Sequence, residues 1–302
     1  MKSDQLISVG TATNSRRSER WPYLFIVPMV LIILLVFVYP LIAVVRNSFY
    51  SGSISNLSFI GTANYVNLLR DDVFVHAIVN NIKLLLTVPI TTLISLAAAL
   101  ILYENIRGWK LYRVILFLPY IIPAAVVGLS FSYLLQGNGI LNTALRNVNL
   151  DFAALDWIGS TTLSIYSIGA VIIWSQFGFG VVVLTASLLS LPTEVSEAAL
   201  VDGASRWQRQ RFVIIPQIKE TVQFLMVLQA ITALAWVFPY IYTITKGGPA
   251  NSSMVMDLYI WQYGFSLGAV GMASAAAVYL LALSGVLILI YSRMRKRQSE
   301  RR

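Results

Sequence analysis

The sequence predicts an all-helical membrane protein with six transmembrane helices and both chain termini in the cytosol. The first observation is composition: 57% of the 302 residues are hydrophobic and only 12% are charged, whereas about a quarter of a soluble domain is charged. The second is a series of apolar runs long enough to cross a bilayer at about 1.5 Å of helix per residue. The third is the position of the Lys and Arg residues, which lie between these apolar runs. A nucleic-acid-binding protein would instead cluster them on one soluble face.

The first apolar run is expected to be a retained transmembrane helix. It follows a polar tail, residues 1–22, and is 23 residues long, which is enough to span a bilayer. No small-residue cleavage site follows it, which argues against a secretory signal peptide. A loop of about 35 residues leads to the second run. The six predicted spans are Tyr23–Val45, Ile82–Tyr103, Val114–Leu135, Leu163–Leu189, Val222–Ile244 and Gly268–Tyr291.

The basic residues fix the orientation of these spans. The two tails and the even-numbered connections, residues 104–113 and 191–221, together hold 17 Lys and Arg residues. The opposite side holds four, with Lys83 at a span boundary. Loops rich in Lys and Arg stay in the cytosol, so both termini and the 191–221 loop are predicted to be cytosolic. We therefore expect one membrane domain, residues 23–291, between the N-terminal tail and a basic C-terminal tail, residues 292–302.

Several kinds of chemistry are excluded by residue content. The chain has no cysteine and one histidine, His76, so disulfides, thiol catalysis and paired-histidine metal sites are not expected. It has no phosphate-binding G-x-x-x-x-G-K-[ST] loop, so it is not expected to hydrolyse ATP. Apart from Lys83, the predicted spans lack charged residues and histidine, which ion-coupled carriers and intramembrane hydrolases need. A neutral cargo and a separate energy source are therefore predicted.

The 191–221 loop is predicted to fold as a helix–turn–helix elbow. A short helical run around Glu197 stops at Asp202-Gly203, where glycine allows a sharp turn. A second run begins after Ser205, a residue type favoured as a helix N-cap, and is expected to end at Pro216. Such an elbow on the membrane face is suited to transmitting movement of a soluble partner protein to the flanking spans. The alternative is a solvated loop with an incidental amphipathic helix.

The residues of this loop carry a family resemblance. Glu197-Ala198-Ala199, Gly203, Ile214 and Pro216 stand at the spacing of the EAA loop, and the chain resembles the permeases of ABC importers that carry it. Pro192 and Asp202-Gly203-Ala204 are similar to the maltose-type, carbohydrate-uptake branch. The segments 59–65, 113–120 and 245–249 also resemble the family. Gln217 and Ile218 depart from it, because the family often has two leucines there.

The resemblance implies a type I ABC importer permease, which is a multi-pass protein of the bacterial cytoplasmic (inner) membrane and not an enzyme. It implies four kinds of protein partner or ligand: a second permease in a heterodimer, two nucleotide-binding ATPase subunits, an extracytoplasmic solute-binding protein and a sugar. No nucleic acid is implied, and the chain would have no cofactor of its own, since ATP and Mg would be bound by the ATPases. The residues implied to couple the chain to an ATPase are Glu197, Ala198, Ala199, Asp202, Gly203 and Pro216.

Neutral polar and aromatic residues in the spans are candidates for binding the cargo. Gln229, Thr232 and Trp236 fall at i, i+3 and i+7 of the fifth predicted span and would share one helix face. Amides and hydroxyls hydrogen-bond sugar hydroxyls, and flat rings cover the apolar faces of a pyranose. The alternative is that these side chains only join helices to one another. By register with maltose-type permeases, the implied sugar contacts are Tyr120, Gln176, Phe179, Gln229, Thr232 and Trp236, together with Ala124 and Ala233.

The predicted function is import of a sugar, a di- or oligosaccharide, by alternating access. A polyol or glycerol-phosphate cargo is the alternative within the family. From a different class, the alternative is a six-span secondary carrier or channel. These classes differ in whether the purified chain moves solute without ATP and partner proteins. Six prolines within the predicted spans favour kinked helices around a central cavity: Pro28, Pro40, Pro89, Pro119, Pro123 and Pro239.

Overall fold

The computed structural model describes residues 21–53, 56–104 and 107–299. Most of the predicted N-terminal tail, and residues 300–302 of the predicted C-terminal tail, lie outside the described residues. The chain divides into two units, residues 1–44 and 45–302, which are described in turn.

The first unit holds the predicted first span. Helix α1 (Trp21–Ile33) continues through a π-helical turn (Leu34–Val38) into α2 (Tyr39–Asn47), whose last residues belong to the second unit. The π-turn ends two residues before Pro40, which lacks the N–H that would bond to the Val36 carbonyl. A π-helical turn shifts the hydrogen-bonding register of the backbone, so the helix can continue past the missing donor. The prediction of a membrane-length helix is confirmed here: Phe25–Asn47 is long and apolar enough to cross a bilayer.

The second unit begins with structure where the sequence indicated only a loop. Strands β1 (Tyr50–Ser53) and β2 (Asn56–Phe59) form an antiparallel hairpin, and helices α3 (Ala63–Arg70) and α4 (Asp72–Leu84) follow. Asp71 caps α4, because one of its carboxylate oxygens accepts hydrogen bonds from two backbone N–H groups of the first turn. The two strands and α3 are only four to eight residues long. Elements this short do not give a clear periodic pattern in the sequence.

Three further helices are long and apolar enough to span a membrane. The first is formed by α4 together with α5 (Thr87–Tyr103), which are separated only at Leu85–Leu86. The second is α9 (Ser164–Leu189), which agrees with the predicted fourth span. The third is α16 (Val270–Ser299), which continues as a helix beyond the predicted end at Tyr291.

The predicted third span is not one straight helix. Helices α6 (Trp109–Ile121) and α7 (Ala124–Leu134) meet at an angle of 89°. Ile122 is extended, with φ −71° and ψ 127°, which is the conformation that a following proline enforces. The kink predicted from the prolines of this span is thus present, and at Pro123 it is a sharp break between two helices.

The predicted fifth span is broken as well. Helix α13 (Lys219–Ala235) ends before the predicted Ile244, and α14 (Phe238–Ile244) begins after Trp236 and Val237. Pro239 cannot donate a hydrogen bond to the Ala235 carbonyl, so the helical ladder stops at that point. Two bent pairs of helices can each be counted as one span, Trp109–Ile121 with Ala124–Leu134 and Arg206–Gln217 with Lys219–Ala235. The described residues then contain up to six spans, and otherwise four.

The remaining elements are short and lie between the spans. Between α7 and α9 the chain forms α8 (Ile140–Asn147) and a 3₁₀ turn (Asp151–Ala153). Between α9 and α13 they are α10 (Thr193–Val201), α11 (Arg206–Gln208), a π-helical segment (Arg209–Ile214) and α12 (Ile215–Gln217). Before α16 they are α15 (Met256–Trp261) and a π-helical turn (Gln262–Ser266).

Contacts between distant segments agree with the predicted sidedness. Glu104, in a connection predicted to be cytosolic, contacts Arg209 in the other cytosolic connection. Asp71, predicted on the opposite side, accepts a hydrogen bond of 2.7 Å from Tyr259, which lies in the connection before α16. Segments assigned to one side of the membrane by charge are thus brought together in the folded second unit.

Candidate functional site

The first limb of the elbow is helix α10, which ends in a glycine turn. Gly203 has φ +76°, its N–H donates to the Leu200 carbonyl, and the Ala204 N–H donates to the Ala199 carbonyl. This pair of bonds is the Schellman arrangement that closes a helix at a left-handed residue. The sharp turn predicted at Gly203 is therefore present.

The second limb begins at a capping box, as the sequence indicated. The Ser205 hydroxyl accepts a hydrogen bond from the Gln208 N–H, and the Gln208 side chain accepts one from the Ser205 N–H. The predicted end at Pro216 is confirmed to within one residue, because helical structure ends at Gln217 and then bends by 69° into α13. A π-helical segment precedes Pro216 and accommodates its missing N–H.

The elbow presents a mixed polar and apolar surface to solvent. Glu197 and Ala198 are exposed, whereas Ala199 is buried against the rest of the elbow. Within the described residues the Glu197 carboxylate has no hydrogen-bond or ion-pair partner. Four large apolar side chains, 53–88% exposed, lie on the same two limbs: Leu200, Val201, Trp207 and Phe212. An unpaired carboxylate beside exposed apolar side chains has the composition of a surface that another protein covers.

The base of the elbow packs against two spans. Ile214 and Ile218 are 1% exposed and belong to one apolar cluster with Ala99 and Leu100 of α5 and Leu188 of α9. A hydrogen bond of 2.9 Å between the Ser187 and Thr221 hydroxyls adds a polar contact. The predicted coupling residues therefore stand on a base that is continuous with the membrane helices.

Four of the predicted cargo residues lie around one narrow cleft between α5, α9 and α13. Gln176, Gln229, Thr232 and Ala233 line it, together with Thr87 and Thr91. Gln229 is 8% exposed, and its Oε1 accepts a hydrogen bond of 3.0 Å from the Thr92 hydroxyl. Its Nε2 is buried and has no acceptor among the described residues. The cleft thus contains an amide donor that is free for another acceptor.

Tyr120 and Phe179 form an aromatic pair near Gln176 but do not themselves line this cleft. Their rings are stacked, with centroids 5.0 Å apart and an interplanar angle of 26°. Phe179 and Gln176 are three residues apart on α9 and therefore share one face of that helix. A stacked pair next to amide and hydroxyl groups combines a flat apolar surface with hydrogen-bonding groups, which is the combination that sugars need.

Trp236 lies one residue beyond the end of α13, so the helical spacing used to place it beside Gln229 does not extend to it, and its contact with the cargo stays a prediction. Helix α13 ends at Ala235, and Trp236 has φ −134° and ψ 21°, which is outside the helical region. Its side chain is 71% exposed and does not line the cleft. The cause is the break imposed by Pro239, since helical spacing stops where the helix stops.

Sequence reasoning missed the residues that hold the broken fifth span. The Asn81 Nδ2 donates to the Leu234 carbonyl at 2.9 Å, and its Oδ1 accepts from the Met256 N–H at 2.8 Å. Across the break, an oxygen of Asp257 accepts from the Phe238 N–H at 2.7 Å. Two adjacent asparagines at the start of an apolar run were the available signal, because polar residues in membrane helices usually bond to neighbouring segments.

No cluster of three or more His, Cys, Asp or Glu side chains suited to a metal ion occurs among the described residues. The cleft also contains no charged side chain. The chemistry that the site offers is therefore hydrogen bonding and ring stacking.

Comparison with known proteins gives a consistent result. A family model described as the binding-protein-dependent transport system inner membrane component matches residues 90–300. A probable ABC transporter permease protein of Pyrococcus horikoshii is 33% identical over 91% of this chain and 96% of its own. The diacetylchitobiose uptake system permease protein of Streptomyces coelicolor is 32% identical over 78% of this chain and 70% of its own.

One solved structure shares the fold at low sequence identity. It is a chain of a bacterial ABC transporter involved in the import of the acidic polysaccharide alginate, with a TM-score of 0.81 and 24% identity. The match covers 92% of this chain and 95% of that one.

Proposed function

Because the chain belongs to the family of binding-protein-dependent transport system inner membrane components, we propose that it is one permease subunit of an ABC importer for a neutral sugar. It is a multi-pass protein of the cytoplasmic (inner) membrane and a transport subunit, not an enzyme. The observation that carries the proposal is the elbow. Glu197 has no partner among the described residues and stands on a short exposed helix that ends in the turn at Gly203, and the base of the elbow packs on two spans.

The energy for transport comes from other subunits. The sequence has no phosphate-binding G-x-x-x-x-G-K-[ST] loop, so ATP and Mg are bound by two ATPase subunits beneath the membrane. One of them receives the elbow of this chain, and the other receives the elbow of a second, different permease. An extracytoplasmic binding protein delivers the cargo on the opposite face.

The cargo path is shared with the second permease. The cleft around Gln229 measures about 10 Å³, whereas pockets for small molecules usually measure about 300–1,000 Å³. The described part of this chain therefore supplies one wall, and the facing permease supplies the other. Movement of the two permeases relative to each other opens this path to one side of the membrane and then to the other.

A neutral sugar fits this wall better than a glycerol phosphate. The cleft offers amide and hydroxyl groups, and Tyr120 and Phe179 provide a stacked apolar surface near Gln176. A phosphate would be bound by Arg or Lys, and neither residue lines the cleft. The uptake of diacetylchitobiose by a relative in Streptomyces coelicolor supports a neutral disaccharide or oligosaccharide.

The proposal predicts ATP-dependent uptake that requires every partner. Proteoliposomes containing this chain, the second permease and the ATPase subunits should accumulate a neutral disaccharide when binding protein is outside and ATP inside. Radiolabelled uptake from a panel of neutral disaccharides is the measurement. Uptake by this chain alone, driven by a proton or sodium gradient, would contradict the proposal and favour a secondary carrier.

Gln229→Leu is expected to weaken cargo uptake without disturbing assembly. The change removes the free Nε2 donor, and the loss of one hydrogen bond corresponds to a rise in KM of roughly three- to tenfold. Gln136→Leu, at an exposed position away from the cleft, is the matched control and should leave KM unchanged. An unchanged KM in Gln229→Leu for every sugar that the wild-type complex transports would show that Gln229 does not face the cargo.

A further inference from the structure

The cytosolic end of α5 is joined to the elbow by a cluster of polar side chains that the sequence did not reveal. Glu104 directly follows α5, and its two carboxylate oxygens lie 2.8 and 3.0 Å from Nη2 of Arg209. Nε2 of Gln210 donates to the same carboxylate at 3.0 Å. Nε of Arg206 lies 3.4 Å away. One carboxylate thus binds three residues of the second limb.

The central pair of this cluster is shielded from solvent. The side chains of Arg209 and Glu104 are 12% and 18% exposed, whereas that of Arg206 is 59% exposed. A shielded, charge-assisted pair resists salt screening and is stronger than a surface pair. Nε of Arg209 is buried without an acceptor among the described residues, so this guanidinium depends on Glu104 for its neutralising charge.

The ionisation of Glu104 is consistent with this arrangement. Partial burial alone would raise the pKa of its carboxyl, but hydrogen bonds from Gln210 and Arg209, and the charges of Arg209 and Arg206, outweigh that effect. The pKa of Glu104 consequently lies below its ordinary value, so the carboxylate is charged at neutral pH.

The same helix that carries Glu104 also touches the cargo cleft. Thr92 of α5 donates its hydroxyl to Gln229 at 3.0 Å. Twelve residues separate Thr92 from Glu104, which corresponds to about 18 Å of helix. Helix α5 is uninterrupted between these two positions. If the second limb moves and pulls on Glu104, α5 should therefore move with it and displace Thr92, which donates its hydrogen bond to Gln229.

Apolar contacts alone would not transmit such a displacement in a fixed direction. The cluster around Ile214, Ala99 and Leu184 is held by dispersion contacts, which are individually weak and have no preferred direction. The hydrogen bonds of Glu104 are directional and fix the register of the limb on α5. The ion pair is thus the part of this interface suited to transmitting movement.

We propose that Glu104 is a positioning residue that couples the elbow to α5, so that movement of the docked elbow is passed through α5 to the cargo cleft. The proposal rests on the proposed function, because it concerns how ATPase closure reaches the cargo path. It assigns to Glu104 and Arg209 a role separate from that of Glu197, which faces the ATPase. Loss of Glu104 should uncouple ATP hydrolysis from transport while leaving the ATPases bound.

The test compares Glu104→Gln with Arg206→Gln in the full complex in proteoliposomes. Glu104→Gln keeps the shape of the side chain but removes the charge that neutralises Arg209. We expect the number of sugar molecules imported per ATP hydrolysed to fall at least tenfold, with basal ATP hydrolysis and co-purification of the ATPases retained. Arg206→Gln removes only the exposed partner and should keep this ratio within twofold of wild type. The probe is whichever neutral disaccharide the wild-type complex imports.

A charge-reversed pair separates positioning from simple stability. The double variant Glu104→Arg with Arg209→Glu restores an ion pair in the opposite sense and should recover at least part of the import per ATP. Two results would overturn the proposal: a wild-type ratio in Glu104→Gln, or a loss of uptake that only parallels a loss of assembled complex. If the wild-type complex itself hydrolyses ATP without importing any sugar of the panel, the proposed function fails and this proposal fails with it.

Discussion

Glu197→Lys is expected to abolish sugar uptake while the permease remains inserted in the membrane. The Glu197 carboxylate is exposed on α10 and is free to accept charge-assisted hydrogen bonds from an ATPase groove. Hydrogen bonds to charged groups contribute about 1.5–3 kcal/mol when desolvated, so losing one weakens docking tenfold or more. Lysine also places a positive charge against the donors that the carboxylate would meet. Co-purification of the ATPase and sugar-stimulated ATP hydrolysis are the measurements.

Glu194→Lys is the matched control, since it makes the same change in charge on an exposed residue in the first turn of the same helix. It should retain ATPase binding, because its position lies outside the EAA segment. Equal losses in both variants would point to the charge of the loop as a whole. Wild-type values for both measurements in Glu197→Lys would show that this helix is not the coupling element.

Gly203→Asp is expected to have a similar effect for a different reason. An added Cβ at Gly203 meets no atom of the chain within 4 Å, and the backbone has φ +76°. The site therefore has space but requires a left-handed conformation, which Asn and Asp tolerate better than other residues. Gly203→Asn should keep measurable uptake, and Gly203→Asp should lose it, because only the latter adds a charge to the docking surface. Identical uptake in the two variants would exclude this explanation.

Asn81→Leu is expected to destabilise the complex more than any other single change in the membrane helices. The side chain is fully buried, and it satisfies the Leu234 carbonyl and the Met256 N–H at the break after α13. Leucine fills a similar volume but leaves both backbone groups unsatisfied. Each unsatisfied group lowers the free energy of unfolding by about 1–3 kcal/mol, so the two together lower it by about 2–6 kcal/mol. The thermal midpoint of the detergent-solubilised complex should fall by roughly 5 °C or more.

His76→Leu provides the comparison for Asn81→Leu. His76 lies on the same helix, α4, but is exposed, so its replacement should leave the thermal midpoint close to wild type. A wild-type thermal midpoint for Asn81→Leu would mean that other groups form hydrogen bonds with the Leu234 carbonyl and the Met256 N–H. The contact would then have no structural importance.

The elbow illustrates how much of this site was predictable. Gly203 and Ser205 could be assigned to the turn and the N-cap from residue type and spacing alone, because a glycine turn and a capping box are properties of a few neighbouring residues. The role of Glu197 in coupling stays a prediction, since it depends on contacts with another protein. The predicted end at Pro216 lies within one residue of the observed end at Gln217, because a proline and its neighbours also form a local signal.

The cargo wall was predicted only in part. Gln176, Gln229 and Thr232 line a common cleft, and Tyr120 stacks on Phe179. Trp236 does not line this cleft, because α13 ends before it and the helical register on which its placement depended stops there; its contact with the cargo stays a prediction. Hydropathy records the length of an apolar run but not the direction of its axis. The size of the bend between α6 and α7, 89°, was hidden for the same reason.

The sequence by itself determined the membrane class, the sidedness and the elbow, since composition, charge placement and short motifs are all local properties. Only the tertiary structure decided which polar residues hold the parts together. Glu104 and Arg209 are 105 residues apart, and Asn81 and Leu234 are 153 residues apart. A carboxylate after one helix or an amide at the start of another has many possible partners along the chain. Its actual partner is fixed by the packing of the helices in space, which places one buried polar group beside another that must also be satisfied.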